Sequence, residues 1–278
     1  MKLRLLTYNI HKAIGTDRRY EPDRVVEILR QSEADILCLQ EVDFRVPRSS
    51  YDDIAFSFAE ALGFHYTLGL NVFLKRGAYG NAILSRYPIL HSENLNITWS
   101  IKKPRGCLMS RIVTPAGELA VLNMHLGLAG FERLRQVRMI LESQFVGRLG
   151  SLPAVFAGDT NDRTQKVDRM FSFMGFRDTS IIRRPEKKSA EKKSAKKTIT
   201  LPDWKKLKQI GDLKELKSLG VVGDLQTFPS YTAIPLIRID KMFVSNHFTI
   251  QNHLVLKNQK TKVASDHLPL IVDLELKS

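Results

Sequence analysis

Pro153 to Asp162 reads PAVFAGDTND: an apolar run closed by a glycine, then acid, small polar, amide and acid side chains in immediate succession. Alternate side chains of an extended strand share a face, so Asp159 and Asn161 are expected to project together from the strand's end. Gly158 lets the backbone turn there or approach a ligand closely. A carboxylate and an amide at the mouth of a sheet can activate a water and hold a phosphate or carbonyl oxygen. An ordinary turn has the same composition. The stretch gains weight because other apolar runs of this chain end in the same kind of polar group.

Working outward, Leu3 to Ile10 is β-leaning and ends in Thr7-Tyr8-Asn9-Ile10-His11. Pro22 and Asp23 open a helix whose apolar stripe is Val25, Val26, Ile28 and Leu29. Asp35 to Val42 is apolar almost throughout, as expected of a strand covered on both faces, and ends in Gln40-Glu41. An acid there costs several kcal/mol of desolvation unless it is exposed or paired; a metal ion and water are both suitable partners. A second helix is expected over Asp53 to Leu62, ended by Gly63. Leu70 to Arg76 fits no single element, and Gly77 to Leu90 reads as a glycine-rich loop feeding a strand that stops at Pro88.

Strands are expected at Leu95 to Ile101 and Arg111 to Thr114, and Leu119 to His125 returns from a turn at Pro115 to Glu118. Its end, Asn123-Met124-His125, is again polar. A long helix is expected from Phe131 to Val146, a strand at Ala154 to Ala157 and a short helix over residues 165–174. Strands at Leu236 to Val244 and Leu268 to Leu276 close the chain. Interleaved strands and helices with several hairpins make an α/β (α+β) chain of mixed sheets, and 278 residues with 43% hydrophobic content suffice for two sheets packed together in one domain, 1–278.

Cys38 and Cys107 show no CxxC spacing, which excludes a disulfide framework and cysteine-bound zinc and fits a reducing compartment. The N-terminal run reaches Asn9 too early for a signal peptide, and no 18-residue apolar run exists for a membrane span. The expectation is a cytoplasmic protein, or one peripheral at a membrane. Residues 183–217 hold 13 Lys or Arg against 5 Asp or Glu and so carry +8 of the net +14. Within this basic insertion, Lys187 to Lys197 reads as a solvated linker or as an attraction site for phosphates of nucleic acid or an anionic membrane.

The polar strand ends are Asn9, Glu41, His125, Asp159 with Asn161, Asp240, and the pair Asp266-His267. Each has a plain reading: His125 as a satisfied buried histidine, Asp266-His267 as a turn, Asp240 paired with Arg238, and Glu41 solvated. Together they match metal-assisted attack of water on phosphorus, which needs hard oxygen ligands, a base and donors for the developing charge. Acids, amides and two histidines without a thiolate fit Mg²⁺ or Mn²⁺.

The ordered set TYNIH, LQEVD, YGNAILSR, NMHLG, GDTND, RIDKMFVS and SDHLP resembles the endonuclease/exonuclease/phosphatase superfamily, which includes DNase I and sphingomyelinases. The resemblance runs from residue 3 to about 275, leaving out the basic insertion. It implies a four-layer α/β/β/α sandwich with a divalent metal between the sheets' ends. It implies Glu41 and Asn9 at the metal, with Asp266 as a second ligand. Asp159 would orient or deprotonate water and Asn161 contact phosphate. His125 would lie near the scissile phosphate, and Asp240 would orient His267. His11 stands where some repair endonucleases carry aspartate, and His125 where they carry a tyrosine-containing strand, so the pattern leans away from abasic-site endonucleases. The expected function is a Mg²⁺-dependent phosphodiesterase. Its substrate would be a phospholipid head group, a small phosphodiester or nucleic acid. The alternatives are a DNA or RNA nuclease of the same fold and a non-catalytic binder of anionic surfaces.

Overall fold

The computed structural model describes residues 1–181, 225–232 and 235–277. In chain order the first strands and helices are β1 (Lys2–Asn9), α1 (Pro22–Gln31), β2 (Ile36–Phe44), α2 (Ile54–Leu62), β3 (His65–Phe73) and β4 (Ala78–Ser85). Then come β5 (Ile89–Asn96), β6 (Gly106–Thr114), β7 (Gly117–His125), α3 (Gly130–Leu141), α4 (Gln144–Gly147), β8 (Ala154–Asp159), α5 (Lys166–Phe173) and β9 (Arg177–Asp178). The last are β10 (Asp240–Val244), β11 (Phe248–Val255), α6 (Gln259–Ala264) and β12 (Leu270–Leu276). One sheet runs β11-β12-β1-β2-β4-β3 and the other β5-β6-β7-β8-β10-β9. Both are mixed: β1 pairs parallel with β2, and β7 parallel with β8, among antiparallel neighbours.

Three apolar cores account for the layering. Along β1, Leu6 and Tyr8 pack outward with Val25, Ile28 and Phe58 of α1 and α2. Leu3 and Leu5 point the other way and meet Leu119, Val121, Val155, Ala157, Met242 and Val244 of the second sheet. On the far face Leu122, Met124 and Phe156 pack against Val137, Ile140 and Phe171 of α3 and α5. The period-2 alternation of a doubly covered strand therefore separates the layers, and the expected four-layer sandwich is what forms.

Several element boundaries differ from the sequence reading. Within Gly77 to Leu90 the expected strand forms but takes in the glycine-rich part as well: β4 is buried throughout, and Gly80 serves close strand approach, since a Cβ there would lie 1.8 Å from the Gly69 carbonyl oxygen. Leu70 belongs to β3, whose polar, half-buried residues hide its period. Leu95 to Ile101 ends early as β5, because the Asn96 side chain accepts from Thr98 N–H and turns the chain. The expected Phe131 to Val146 helix breaks at Ser143, which caps a new start by accepting from Val146 N–H at 3.3 Å. Strand β10 begins only at Asp240, and β11 and α6 were not anticipated. The basic insertion expected at residues 183–217 lies outside the described residues, and no helix among those described is long and apolar enough to cross a membrane.

Candidate active site

The face each sheet turns to the other changes character toward one end. Reading along it, β1 presents Leu3, Leu5, Thr7 and Asn9; β7 presents Leu119, Val121, Asn123 and His125; β8 presents Val155, Ala157 and Asp159; and β10, running the other way, presents Val244, Met242 and Asp240. Apolar rungs give way first to amides and then to acids and imidazoles. The amide layer is cross-linked, with Gln40 Oε1 alone of its amide oxygens left buried without a partner among the described residues. Gln40 Nε2 donates to Asn123 Oδ1 at 2.7 Å, and Asn123 Nδ2 donates to the Leu39 and Ala82 carbonyls at 2.8 Å. It forms a rigid polar floor under the groups above it.

Those groups centre on the buried carboxylate of Asp159. Its Oδ1 accepts from Asn161 N–H at 3.0 Å, and its Oδ2 accepts from Asn9 Nδ2 at 3.2 Å. The Nε2 atoms of His125 and His267 lie 3.4 and 3.7 Å from that same Oδ2. His267 Nδ1 is held by Asp240 Oδ2 at 2.8 Å, so the partner of Asp240 is His267, and Arg238 instead meets Asp178. Gly158, at φ +142°, lets β8 pass against β7; a Cβ would fall 1.8 Å from the Met124 carbonyl oxygen.

Electrostatics follow from burial and neighbours. Burial, helped by Asp240, lifts the Asp159 carboxyl to about 6, with His267 pulling the other way. Burial works against the charged form of His267, but the adjacent carboxylates of Asp240 and Asp159 prevail and raise it to about 10. His125 is pushed well below the usual imidazole range by burial and then by the Arg105 guanidinium. Arg105 Nη1 donates to His125 Nε2 at 2.7 Å, which places the neutral ring's proton on Nδ1.

Glu41 reaches the site by a backbone device. β2 does not stop at this acid but continues to Phe44, with one extra residue bulged between Leu39 and Val42. Glu41 itself sits at φ +55°, a left-handed conformation that costs a β-carbon residue about 1–3 kcal/mol. The bulge turns the carboxylate toward the ammonium of Lys12, and it shares a cleft with Arg105, His125, Asn71 and Tyr79. Burial opposes its ionisation, but the ammonium of Lys12 prevails and holds its carboxyl far below the ordinary range. Asn9 Oδ1 accepts from His11 N–H at 3.1 Å, and the half-buried Asp266 contacts Ser265 Oγ at 3.4 Å. Asn161 Nδ2 donates to the Leu126 carbonyl at 3.0 Å.

Thus Asn9, His125, Asp159, Asn161, Asp240 and His267 converge, while Glu41 joins from the His125 side and Asp266 lies next in sequence to His267. One oxygen or nitrogen from each of Asp159, Asp240 and His267 falls within 4.8 Å of the others, a group able to hold a metal ion. Sequence reasoning missed Lys12, Arg105, Gln40 and Asn123. The last was visible two positions before His125 on the same strand face, whereas Arg105 stands in a loop with no periodicity to mark it.

Stacked six-stranded sheets with helices outside and a polar rim at one end constitute the DNase I-like α/β fold. The chain belongs to the Endonuclease/Exonuclease/phosphatase family, which it matches over residues 6–267. Members of this superfamily are hydrolases acting on phosphoester bonds. The uncharacterized protein YbhP of Escherichia coli K12 is 29% identical over 98% of this chain and 96% of its own. The endonuclease/exonuclease/phosphatase of Beutenbergia cavernae superposes with a TM-score of 0.72 at 21% identity, covering 100% of this chain and 72% of that one. The Bacteroides vulgatus family protein gives 0.72 at 19% identity, with 100% of both chains covered.

Proposed function

We propose that the chain is a divalent-cation-dependent phosphoric ester hydrolase, and within that class a phosphodiesterase acting by attack of water on phosphorus. The observation that carries this reading is the buried Asp159 carboxylate faced by one amide and two imidazoles, with Asp240 behind the second ring. An acid so placed can align a water and accept its proton. His267, fixed through Nδ1, aims Nε2 at the same space and can donate to an oxygen gaining negative charge. His125 and Arg105 approach from the other side, where Arg105 supplies a buried guanidinium whose Nε has no protein partner. Asn161 adds an amide at the strand's end. Gln40, Asn123 and Asn9 limit the freedom of all these groups.

The donors present fit a hard cation. Glu41 is ionised and half enclosed, Asn9 and Asp266 offer further oxygens, and Asp240 Oδ1 is buried without a partner. The two thiols are buried and remote in kind from such a set. Glu41 with Asn9, and Asp266 as a second point of attachment, would hold Mg²⁺ or Mn²⁺. The cation would supply polarisation of a phosphoryl oxygen. His267 between two carboxylates favours a proton-handling role for the Asp159–Asp240–His267 group over a metal-holding one.

The test is hydrolysis of bis-p-nitrophenyl phosphate and of p-nitrophenyl phosphate with Mg²⁺, Mn²⁺ or EDTA, alongside plasmid and oligonucleotide cleavage. Metal-dependent release from the diester is expected, abolished by EDTA and by Glu41→Ala. Inactivity on every ester with every metal would sink the hydrolase. Preferential cleavage of DNA or RNA would replace the diesterase with a nuclease.

A further inference from the structure

Three chain segments surround the mouth of the candidate site; all three expose apolar side chains, and two of them add cations. The β3–β4 hairpin carries Phe73 and Leu74 followed by Lys75 and Arg76. The β5–β6 loop carries Trp99 and Ile101 followed by Lys102 and Lys103. The segment after β7 carries Leu128 and Phe131. Ile101 is 98% exposed, Phe73 75%, Leu128 74% and Phe131 63%. Large apolar side chains this open, gathered on loops around a cleft, mark an interaction surface.

The segments adjoin one another. Asn71, Tyr79, Arg105 and His125 line a single cleft, so the hairpin, the loop and the end of β7 share one rim. Lys103 Nζ lies 5.5 Å above the Tyr79 ring, which ties the loop to the hairpin, and the Arg135 guanidinium lies 4.4 Å above Trp99, which ties α3 to the loop. Residues 71–77, 98–105 and 126–131 contain no Asp or Glu. The rim therefore presents hydrocarbon and positive charge together, without a carboxylate to repel an anion.

We propose that this rim docks the protein on an anionic phospholipid surface, and that the phosphoester taken by the site is a lipid head group. The second half rests on the hydrolase reading; the first does not. Aliphatic and aromatic side chains enter the boundary between acyl chains and head groups, while Lys75, Arg76, Lys102 and Lys103 meet lipid phosphates at the surface. A single-stranded nucleic acid would use the cations and the rings, but Leu74, Ile101 and Leu128 offer a base no π-face to stack on. Docked in this way, the cleft with Arg105 and His125 opens onto the plane of the head groups.

The experiment is co-sedimentation of the full chain with vesicles of phosphatidylcholine, alone or mixed with phosphatidylglycerol, in EDTA. Binding to the mixed vesicles and not to the neutral ones is expected. It should fall roughly tenfold in Phe73→Ser/Ile101→Ser and in Lys75→Glu/Lys102→Glu, each of which keeps the basic insertion. Hydrolysis of soluble bis-p-nitrophenyl phosphate should be unchanged in both variants. Undiminished vesicle binding in both variants, or binding of an oligonucleotide and not of vesicles, would overturn the docking surface. Rim-dependent vesicle binding by a chain that hydrolyses no ester would leave the surface standing and remove only the hydrolase reading and the lipid substrate.

Discussion

Two buried acidic clusters lie on opposite faces of β10 and treat charge in opposite ways. Under α5, Asp162, Asp168 and Asp178 meet three cations. Lys241 Nζ lies 2.5 Å from Asp168 and 3.6 Å from Asp162, Arg238 lies 2.5 Å from Asp178, and Arg133 lies 3.7 Å from Asp162. On the other face, Asp159 and Asp240 share the single imidazole of His267. The outer cluster is balanced and fixes α5, whose first turn Asp162 also caps by accepting from Val167 N–H at 2.9 Å. The inner cluster holds more acid than its own side chains neutralise. Against burial, Arg238 keeps Asp178 down at about 2, whereas Asp159 rises to about 6. Adjacent residues Asp240 and Lys241 thus divide the inner cluster from the outer one by strand alternation alone.

The contrast can be broken from either side. The largest effect is expected on catalysis: Asp159→Asn and His267→Ala should each lower diester hydrolysis by about 10³-fold, with a cooperative thermal melt retained. Wild-type turnover in either variant would remove that residue from the chemistry. Next in size, Lys241→Met leaves Asp162 and Asp168 short of a cation and should destabilise the fold by about 3–5 kcal/mol in urea titrations. Smaller and opposite in sign, Asp159→Asn should stabilise the metal-free protein at pH 7 by about 1–3 kcal/mol, because it removes a carboxylate that burial disfavours. A destabilised Asp159→Asn would mean that the inner cluster is structural like the outer one.

The smallest effect is in the pH dependence, and the clusters should differ in sign. Asp178 is depressed in the folded state, so its contribution is present above the ordinary carboxylate pKa and is lost as pH falls through about 2. Asp159 is raised, so its contribution is present below the ordinary value of 3.8 and is lost as pH rises through about 6. Urea midpoints in EDTA should therefore show the advantage of Asp159→Asn over the parent growing between those two values. An advantage that stays flat would contradict the raised carboxyl.

Much of this was legible in the sequence because strand faces obey a period of two. Leu3, Leu5, Thr7 and Asn9 already spell the change from packing to chemistry, and the ordered polar strand ends located Asp159, Asp240 and His267. Glu41 was found as an acid after an apolar run, but not the bulge that aims it, since a left-handed glutamate leaves no compositional mark. Lys12 escaped for a like reason: it lies among three consecutive positive-φ residues, His11 to Ala13, none of them glycine. The first part of β4 was read as a loop because its glycine answers to the Gly69 backbone across the pair, a partner that local reading does not supply.

The second sheet is one unbroken stretch of chain, β5 to β10, set inside the first, whose strands come from both ends. A polypeptide emerging from the ribosome completes that inner stretch while β1 still lacks its neighbour β12. His267, arriving just before β12, follows every strand of that inner sheet in chain order. The pairing of His267 with Asp240 therefore waits until the chain has passed beyond the whole inner sheet, so the acid cluster is completed only as the two sheets close on each other.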